Sequence, residues 1–531
     1  MMDDASASAP RTTTLGLVPA NSARRCSLAV GLLAALTGAK LLVHVLLSNR
    51  YGYFRDELYF LDCGRHLSWG YVDHAPLIGL VARMVLLLGG SLPMLRVFPA
   101  VAGALMVAMT MLIAWRLGGD RFAQAMAGLT VLLVPIYLVL DSLLTMNAFE
   151  PLFWMGCIYL LIRILQTGNS RLWIWFGVLS GVGLMNKHST AFFGVSVVLA
   201  LLLTEHRREF AKPWIWLGGA AAFIIFLPNL VWQMLHHFPT LEDLHNVRVT
   251  GKNLVLTPPQ FVFQQLRSMH PLLSLVWIAG LWHFLLGRGT RYRVLAWIFL
   301  VFFVMMVAFH GKDYYVIPIY PMLIAGGTVA LAGALKRWRF TEGKAWPKGL
   351  LLGGVVLSGL VLAPLMLPVL SPDHYVSYMQ KLGLKPSRRE VHEHGQLPQP
   401  FGDQMGWPEL VGEVAQIYNR LPPEQRTRTA ILTGNYGEAG AIDMFGPKYG
   451  LPLALSGHQT YYYWGTHGFT GSNLITLQYD FDDLSGMCDA VEQVGAHFEQ
   501  WGMEEENQPI YLCKGLKRPL AETWPRHKHW N

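Results

Sequence analysis

Asp56 and Glu57 stand side by side at the head of an amphipathic stretch, Arg55-Asp56-Glu57-Leu58-Tyr59-Phe60-Leu61, directly after the first long apolar run. Ionisable groups beside a bilayer are costly to keep, which makes them functional candidates by default. Neighbouring residues on a helix point about 100° apart, so the two carboxylates do not share a proton and suit separate tasks. Tyr59 falls on the Asp56 face. Asp73-His74 follows in the same loop, and Asp141 closes a later apolar run. Lys187-His188 and Lys312-Asp313-Tyr314 add cations and a phenol of the kind that hold phosphate oxygens. The chemistry this set suits is work on a lipid-linked substrate at a membrane face. Plainer roles compete: Asp56 as a helix cap, Asp73 and Asp141 as interfacial carboxylates facing water, and Lys312 paired with Asp313.

What must position these residues is a membrane bundle. The chain has 531 residues, 53% hydrophobic and 14% charged, against roughly 25% charged in soluble domains. Apolar runs near membrane length recur at 27–48, 95–115, 122–140, 148–165, 172–185, 188–204, 214–235, 268–286, 294–310, 317–335 and 349–369. A run of about 20 residues spans a bilayer, so the reading is a polytopic helical protein of eleven spans, with residues 1–26 as a cytoplasmic tail. Loops carrying Arg116/Arg121, Arg171, Arg207/Arg208/Lys212, Arg288/Arg291/Arg293 and Lys336/Arg337/Arg339 then all fall inside, as the positive-inside rule demands. Treating 172–204 as one span breaks that agreement. The net charge of +8 is scattered between apolar runs rather than gathered into a nucleic-acid patch, and nucleic acid is not an expected partner.

The same alternation puts the first loop, 49–94, outside, with surface helices expected over 56–68 and 76–88. The segment from His236 to Gln260 and the short His310–Tyr315 stretch share that face. After residue 370 the composition turns polar: 371–408 reads as a linker, and 409–531 as an extracytoplasmic α/β domain. Strands are expected at 429–433, 452–456 and 474–479, and a short helix at 438–445. Cys488 and Cys513 both lie in this domain, where an oxidising compartment would allow them to pair. The turn Gly434-Asn435-Tyr436-Gly437-Glu438 has free amides that suit an anion, and the run Tyr461-Tyr462-Tyr463-Trp464 offers rings for a sugar face or for packing. No P-loop, Gly-x-Ser-x-Gly or His-Glu-x-x-His sequence occurs.

Arg55-Asp56-Glu57-Leu58-Tyr59 with Gly70-Tyr71-Val72-Asp73-His74-Ala75-Pro76-Leu77 resembles bacterial members of glycosyltransferase family thirty-nine, relatives of protein O-mannosyltransferases and of the lipid A aminoarabinose transferase. Leu144–Glu150, Asn186–Ser189, Pro228-Asn229 and Lys312–Tyr315 extend the likeness across the membrane region. The resemblance implies a GT-C fold and a polyprenyl-phosphate-linked sugar donor used at the outer face of a bacterial inner membrane. It implies displacement at the anomeric carbon with inversion. Asp56 is then the general base and Glu57 the group that positions acceptor or base. Lys187, His188 and Lys312, with Tyr314 as a donor, face the departing phosphate. Arg55, Tyr59, Asp73, His74 and Asp141 bind substrate or orient these groups. No cofactor is required, although the carboxylates leave room for a divalent metal. Asn147, where an acidic residue was an alternative, and the lack of β-trefoil modules favour an envelope lipid or glycan acceptor over a protein.

Two other classes compete with a transferase. A flippase for lipid-linked sugar needs polar groups near mid-bilayer and a route between faces. A noncatalytic assembly protein predicts that Asp56 is dispensable.

Overall fold

The computed structural model describes residues 26–386, 388, 390–391 and 394–531, so the expected cytoplasmic tail lies outside the described residues apart from Cys26. The membrane part runs α1 (Val30–Leu47), α2 (Arg55–Arg65), α3 (Leu77–Leu87), α4 (Leu92–Arg116), α5 (Arg121–Leu133), α6 (Pro135–Leu140), α7 (Met146–Thr167) and α8 (Leu172–Asn186). It continues with α9 (Thr190–Leu202), α10 (Pro213–Leu235), α11 (Pro239–Val249), α12 (Pro258–Ser268), α13 (Pro271–Leu285), α14 (Arg293–Ala308), α15 (Tyr320–Arg337) and α16 (Trp346–Met366).

Helix occupies each of the eleven expected apolar segments. Among the described residues seven helices are long and apolar enough to cross a bilayer, or nine if each of two bent helix pairs counts as one. The shortfall from eleven has local causes. Pro135 follows Val134 and splits 121–140 into α5 and α6, because proline cannot donate to the preceding turn. α8 ends at the polar Asn186-Lys187 after 15 residues, about 22 Å of rise against a hydrocarbon core of about 30 Å. Helices α8 and α10 lie against each other, as do α13 and α15, α1 and α4, and α9 and α14. A Cβ on Gly177 would collide with the Gly218 backbone, so glycine lets α8 and α10 approach backbone to backbone, as small residues do between membrane helices.

The tail carries a five-stranded sheet in the order β2-β1-β3-β5-β4, where β1 is Thr429–Thr433, β2 Ala454–Ser456, β3 Asn473–Leu477, β4 Cys488–His497 and β5 Gln508–Leu516. The first three are parallel neighbours, and β5 runs antiparallel to both β3 and β4. Cys488 and Cys513 are disulfide-bonded across β4 and β5.

The first-loop helices differ from two elements lying alone on a membrane surface. Leu58, Tyr59, Leu61 and Cys63 of α2 share one apolar cluster with Trp407, Val411, Ile442 and Ile475 of the tail. Gly440, in the tail helix Tyr436–Phe445, would push a Cβ into the Leu58 backbone. The amphipathic pattern was therefore real, but the apolar side of α2 is covered by protein, and the tail is clamped onto the first loop.

Candidate active site

Glu57 fixes the start of α2. One carboxylate oxygen accepts the Phe54 amide at 2.9 Å and the Arg96 guanidinium at 3.2 Å. The other accepts the Leu144 amide at 2.9 Å. Arg96 spends its remaining donors on the carbonyls of Ser48, Arg50 and Gly52 and on Gln404. Both side chains are buried. Glu57 thus offers no oxygen to an acceptor. It ties the helix start, α4, the Leu144 turn and the tail together, and it does the capping that Asp56 was an alternative for.

Asp56, one residue earlier and about 100° around the helix, is half-buried. Its Oδ1 accepts the Tyr436 hydroxyl at 2.8 Å, and among the described residues no other side chain hydrogen-bonds it. Tyr436 comes from the tail, at the first position of its helix. Asn435 caps that helix, accepting the Glu438 amide at 2.9 Å, so the Gly434 turn satisfies its own amides instead of presenting them to an anion. The Tyr436 ring lies 4.9 Å from Tyr59 and 4.9 Å from His458. Burial, with Asp56 adding to it, holds the Tyr436 phenol well above its ordinary range, so it stays a donor. Tyr436→Phe keeps the ring and removes the hydroxyl. A net hydrogen bond contributes about 0.5–1.5 kcal/mol to stability, so the variant should lower the unfolding midpoint modestly, and a loss of turnover of about 10-fold or more would show that this contact also positions Asp56.

Tyr59 joins the second carboxylate to this group. Its hydroxyl lies 2.8 Å from Asp73 Oδ1 and 2.7 Å from the Thr460 hydroxyl. Burial pushes the Asp73 carboxyl up to about 7 and the neighbouring His74 down to about 4. His74 is packed against Tyr71, 4.6 Å between ring centres, and holds the Ala75 carbonyl, so it supports the loop. With its pKa raised on folding, Asp73 keeps a proton that the unfolded chain releases, so its contribution to stability falls as pH rises from about 4 to about 7. Asp73→Asn removes that loss. Its stabilising effect should be larger at pH 8 than at pH 5, read from thermal unfolding in detergent.

The cations sit at the same end of the bundle. Lys187 follows α8 and donates to Asn147 at 2.7 Å and Glu150 at 3.2 Å, with its ammonium 4.3 Å from the centre of the Tyr315 ring and 5.3 Å from that of Tyr314. His188 meets Asn229 at 3.0 Å, and Asn229 donates to the Trp69 carbonyl of the first loop. Lys312 does not depend on Asp313 for its counter-charge: it reaches Glu390 at 2.8 Å, and Lys252 approaches the other oxygen at 3.9 Å. Burial works against ionisation of Glu390, yet Lys312 and Lys252 hold it below the usual carboxylate range. Asp243, which accepts from Gln459 at 3.0 Å, is pushed by burial up to about 6.

Besides Glu57, two further expected site residues are placed elsewhere or otherwise engaged. Asp141 is buried in the bundle and pairs with Lys40 of α1 at 2.7 Å, so it takes no part in orienting the cations. Arg55 faces the tail, pairing with Glu505 at 2.7 Å and Asp403 at 3.6 Å. Tyr461 donates to Asp62 and Trp464 stacks on His66 at 4.5 Å, so packing accounts for most of the aromatic run. Lys252, Glu390, Arg96 and the role of Tyr436 were not read from the sequence. Lys252 at least lies in an outer segment singled out there. Among the described residues no group of three His, Cys, Asp or Glu side chains is placed to hold a metal ion.

Asp56, half-buried and held through one oxygen by Tyr436, thus stands at the same end of the bundle as Asp73, whose carboxyl burial raises, and as Lys187 and Lys312. Residues 73–232, which include Asp73, His74, Lys187, His188 and Asn229, match the family described as dolichyl-phosphate-mannose-protein mannosyltransferase. No curated protein sequence matches the chain. In fold the chain is similar to ArnT from Cupriavidus metallidurans. The TM-score is 0.61 to the apo structure, at 14% identity over 92% of this chain and 98% of that one. To the structure bound to undecaprenyl phosphate it is 0.57, at 15% identity over 91% and 98%.

Proposed function

We propose that the chain, which has the GT-C fold and matches a mannosyltransferase family model over residues 73–232, is a glycosyltransferase of family thirty-nine that moves a sugar from a polyprenyl-phosphate donor to a hydroxyl of an envelope lipid or glycan. The site then lies at the outer face of the inner membrane, with the tail outside. The reading is carried by Asp56, whose one oxygen is held by Tyr436 while the other, without a hydrogen bond among the described residues, can take a proton.

The acceptor oxygen attacks the anomeric carbon as its proton passes to Asp56. The bond from that carbon to the phosphate oxygen breaks, and its electron pair leaves on the lipid phosphate. Placement of the base supplies most of its value. Lys187 and Lys312 stabilise the charge that grows on the phosphate, which counts for more where water is excluded. Asp73, which holds a proton part of the time near neutrality, donates to or accepts from a sugar hydroxyl. ArnT from Cupriavidus metallidurans has been captured with undecaprenyl phosphate, which supports a lipid of that class here.

The test uses purified protein in liposomes, a panel of labelled polyprenyl-phosphate sugars and envelope extract. Label should move to a new product with its anomeric configuration inverted. Label that crosses the bilayer without transfer would establish a flippase instead.

A further inference from the structure

The far ends of α9 and α14 enclose a cleft of about 800 Å3 that the transfer chemistry does not use. α9 starts at Thr190, beside His188, and α14 ends at Ala308, four residues before Lys312. Thirteen and sixteen residues of helix place the cleft about 20 Å or more from those groups, toward the opposite leaflet.

Its construction has two levels. Leu202, Leu203 and Val294 line the bundle side. After α9 the chain bends by 110° into the short helical segment Glu205–Ala211. That segment brings His206 and Arg207 to the lining, which Arg291, from the loop before α14, and Arg293, the first residue of α14, complete. Arg291 is held in place by donating to the Leu165 carbonyl at 3.0 Å. Among the described residues neither Arg207 nor Arg293 is paired with a carboxylate. Glu205 is the single acid in the lining, and Glu209, the other acid of the segment, is occupied by Lys212, Ser170 and Trp173.

We propose that this cleft binds the headgroup of an anionic phospholipid of the leaflet opposite the active site. The phosphate sits among Arg207, Arg291 and Arg293, and the acyl chains run along the exposed Leu202 and Leu203. An exposed arginine beside a bilayer orients a helix without needing a cavity. Here the arginines surround one, with an apolar wall below, and basic pockets between membrane helices at that depth take lipid headgroups. The volume suits a glycerophosphate headgroup.

Native mass spectrometry of the full chain, titrated with phosphatidylglycerol against phosphatidylcholine, tests this. Wild type should retain phosphatidylglycerol preferentially. Arg207→Gln and Arg293→Gln should each weaken that retention about fivefold and the pair about thirtyfold. Arg208→Gln, on the same segment but outside the lining, should leave it unchanged. Equal retention by wild type and the double variant would overturn the proposal, as would equal losses for Arg208→Gln. Displacement of the lipid by millimolar inorganic phosphate would also overturn it, in favour of a free-anion site. Sugar transfer need not change in any of these variants, so this test fails or succeeds apart from the transferase reading.

Discussion

Asp56→Asn should lower sugar transfer by about 100-fold to 10,000-fold, the range general-base catalysis supplies, without lowering the melting temperature. The amide has the shape of the carboxylate, and its oxygen still accepts the Tyr436 hydroxyl, so the 2.8 Å contact and the fit of the tail on α2 survive. What is lost is the oxygen that accepts a proton as the acceptor attacks. The loss should fall on turnover, with donor binding preserved, because the lysines proposed to meet the phosphate are separate side chains. Steady-state transfer in proteoliposomes at matched protein levels is the measurement. Undiminished transfer would remove Asp56 from the chemistry and favour a noncatalytic role for the first loop.

Arg96→Met should do the opposite, destabilising the protein while leaving every group that touches substrate in place. It strands Glu57, fully buried with its oxygens on the Phe54 and Leu144 amides. Removing one partner of a buried pair costs about 3–5 kcal/mol, because the remaining charge has no compensation. It also releases the carbonyls of Ser48, Arg50 and Gly52. Thermal unfolding in detergent should show a large fall in midpoint. Adding Glu57→Gln to Arg96→Met should restore a sizeable part of it, since the uncompensated charge is then gone. If the double variant is no better than Arg96→Met alone, the loss comes from the freed carbonyls rather than from Glu57.

The contrast between Asp56 and Glu57 explains what could be read beforehand. Their adjacency and the helical pattern announced a two-carboxylate element with divided roles, and α2 begins within a residue of the expected boundary because 55–65 alternates on a helical period. Which carboxylate is free depends on partners 39 residues away in Arg96 and 380 away in Tyr436. No local pattern encodes those separations. Asp141 reads as a loop-end carboxylate until Lys40 is placed opposite it, and Lys40 is a lone cation inside an apolar run that was passed over. Lys312 has Asp313 beside it in sequence, yet its carboxylate is Glu390, brought in by a bridge between Asn253 and Glu390. The parallel strands β1 and β3 are buried and read as apolar runs. β4 is largely exposed, with Asp489, Glu492 and Gln493 along it, so its pattern resembles a loop.

In the proposed mechanism, transfer consumes a lipid monophosphate sugar with Asp56 as base. Its most direct test is the stoichiometry of the reaction in proteoliposomes: sugar delivered to acceptor counted against free polyprenyl phosphate released. One phosphate lipid should appear per sugar transferred by the wild type, and almost none by Asp56→Asn under the same conditions. Product formed without release of the monophosphate, or equal release by Asp56→Asn, would contradict the account.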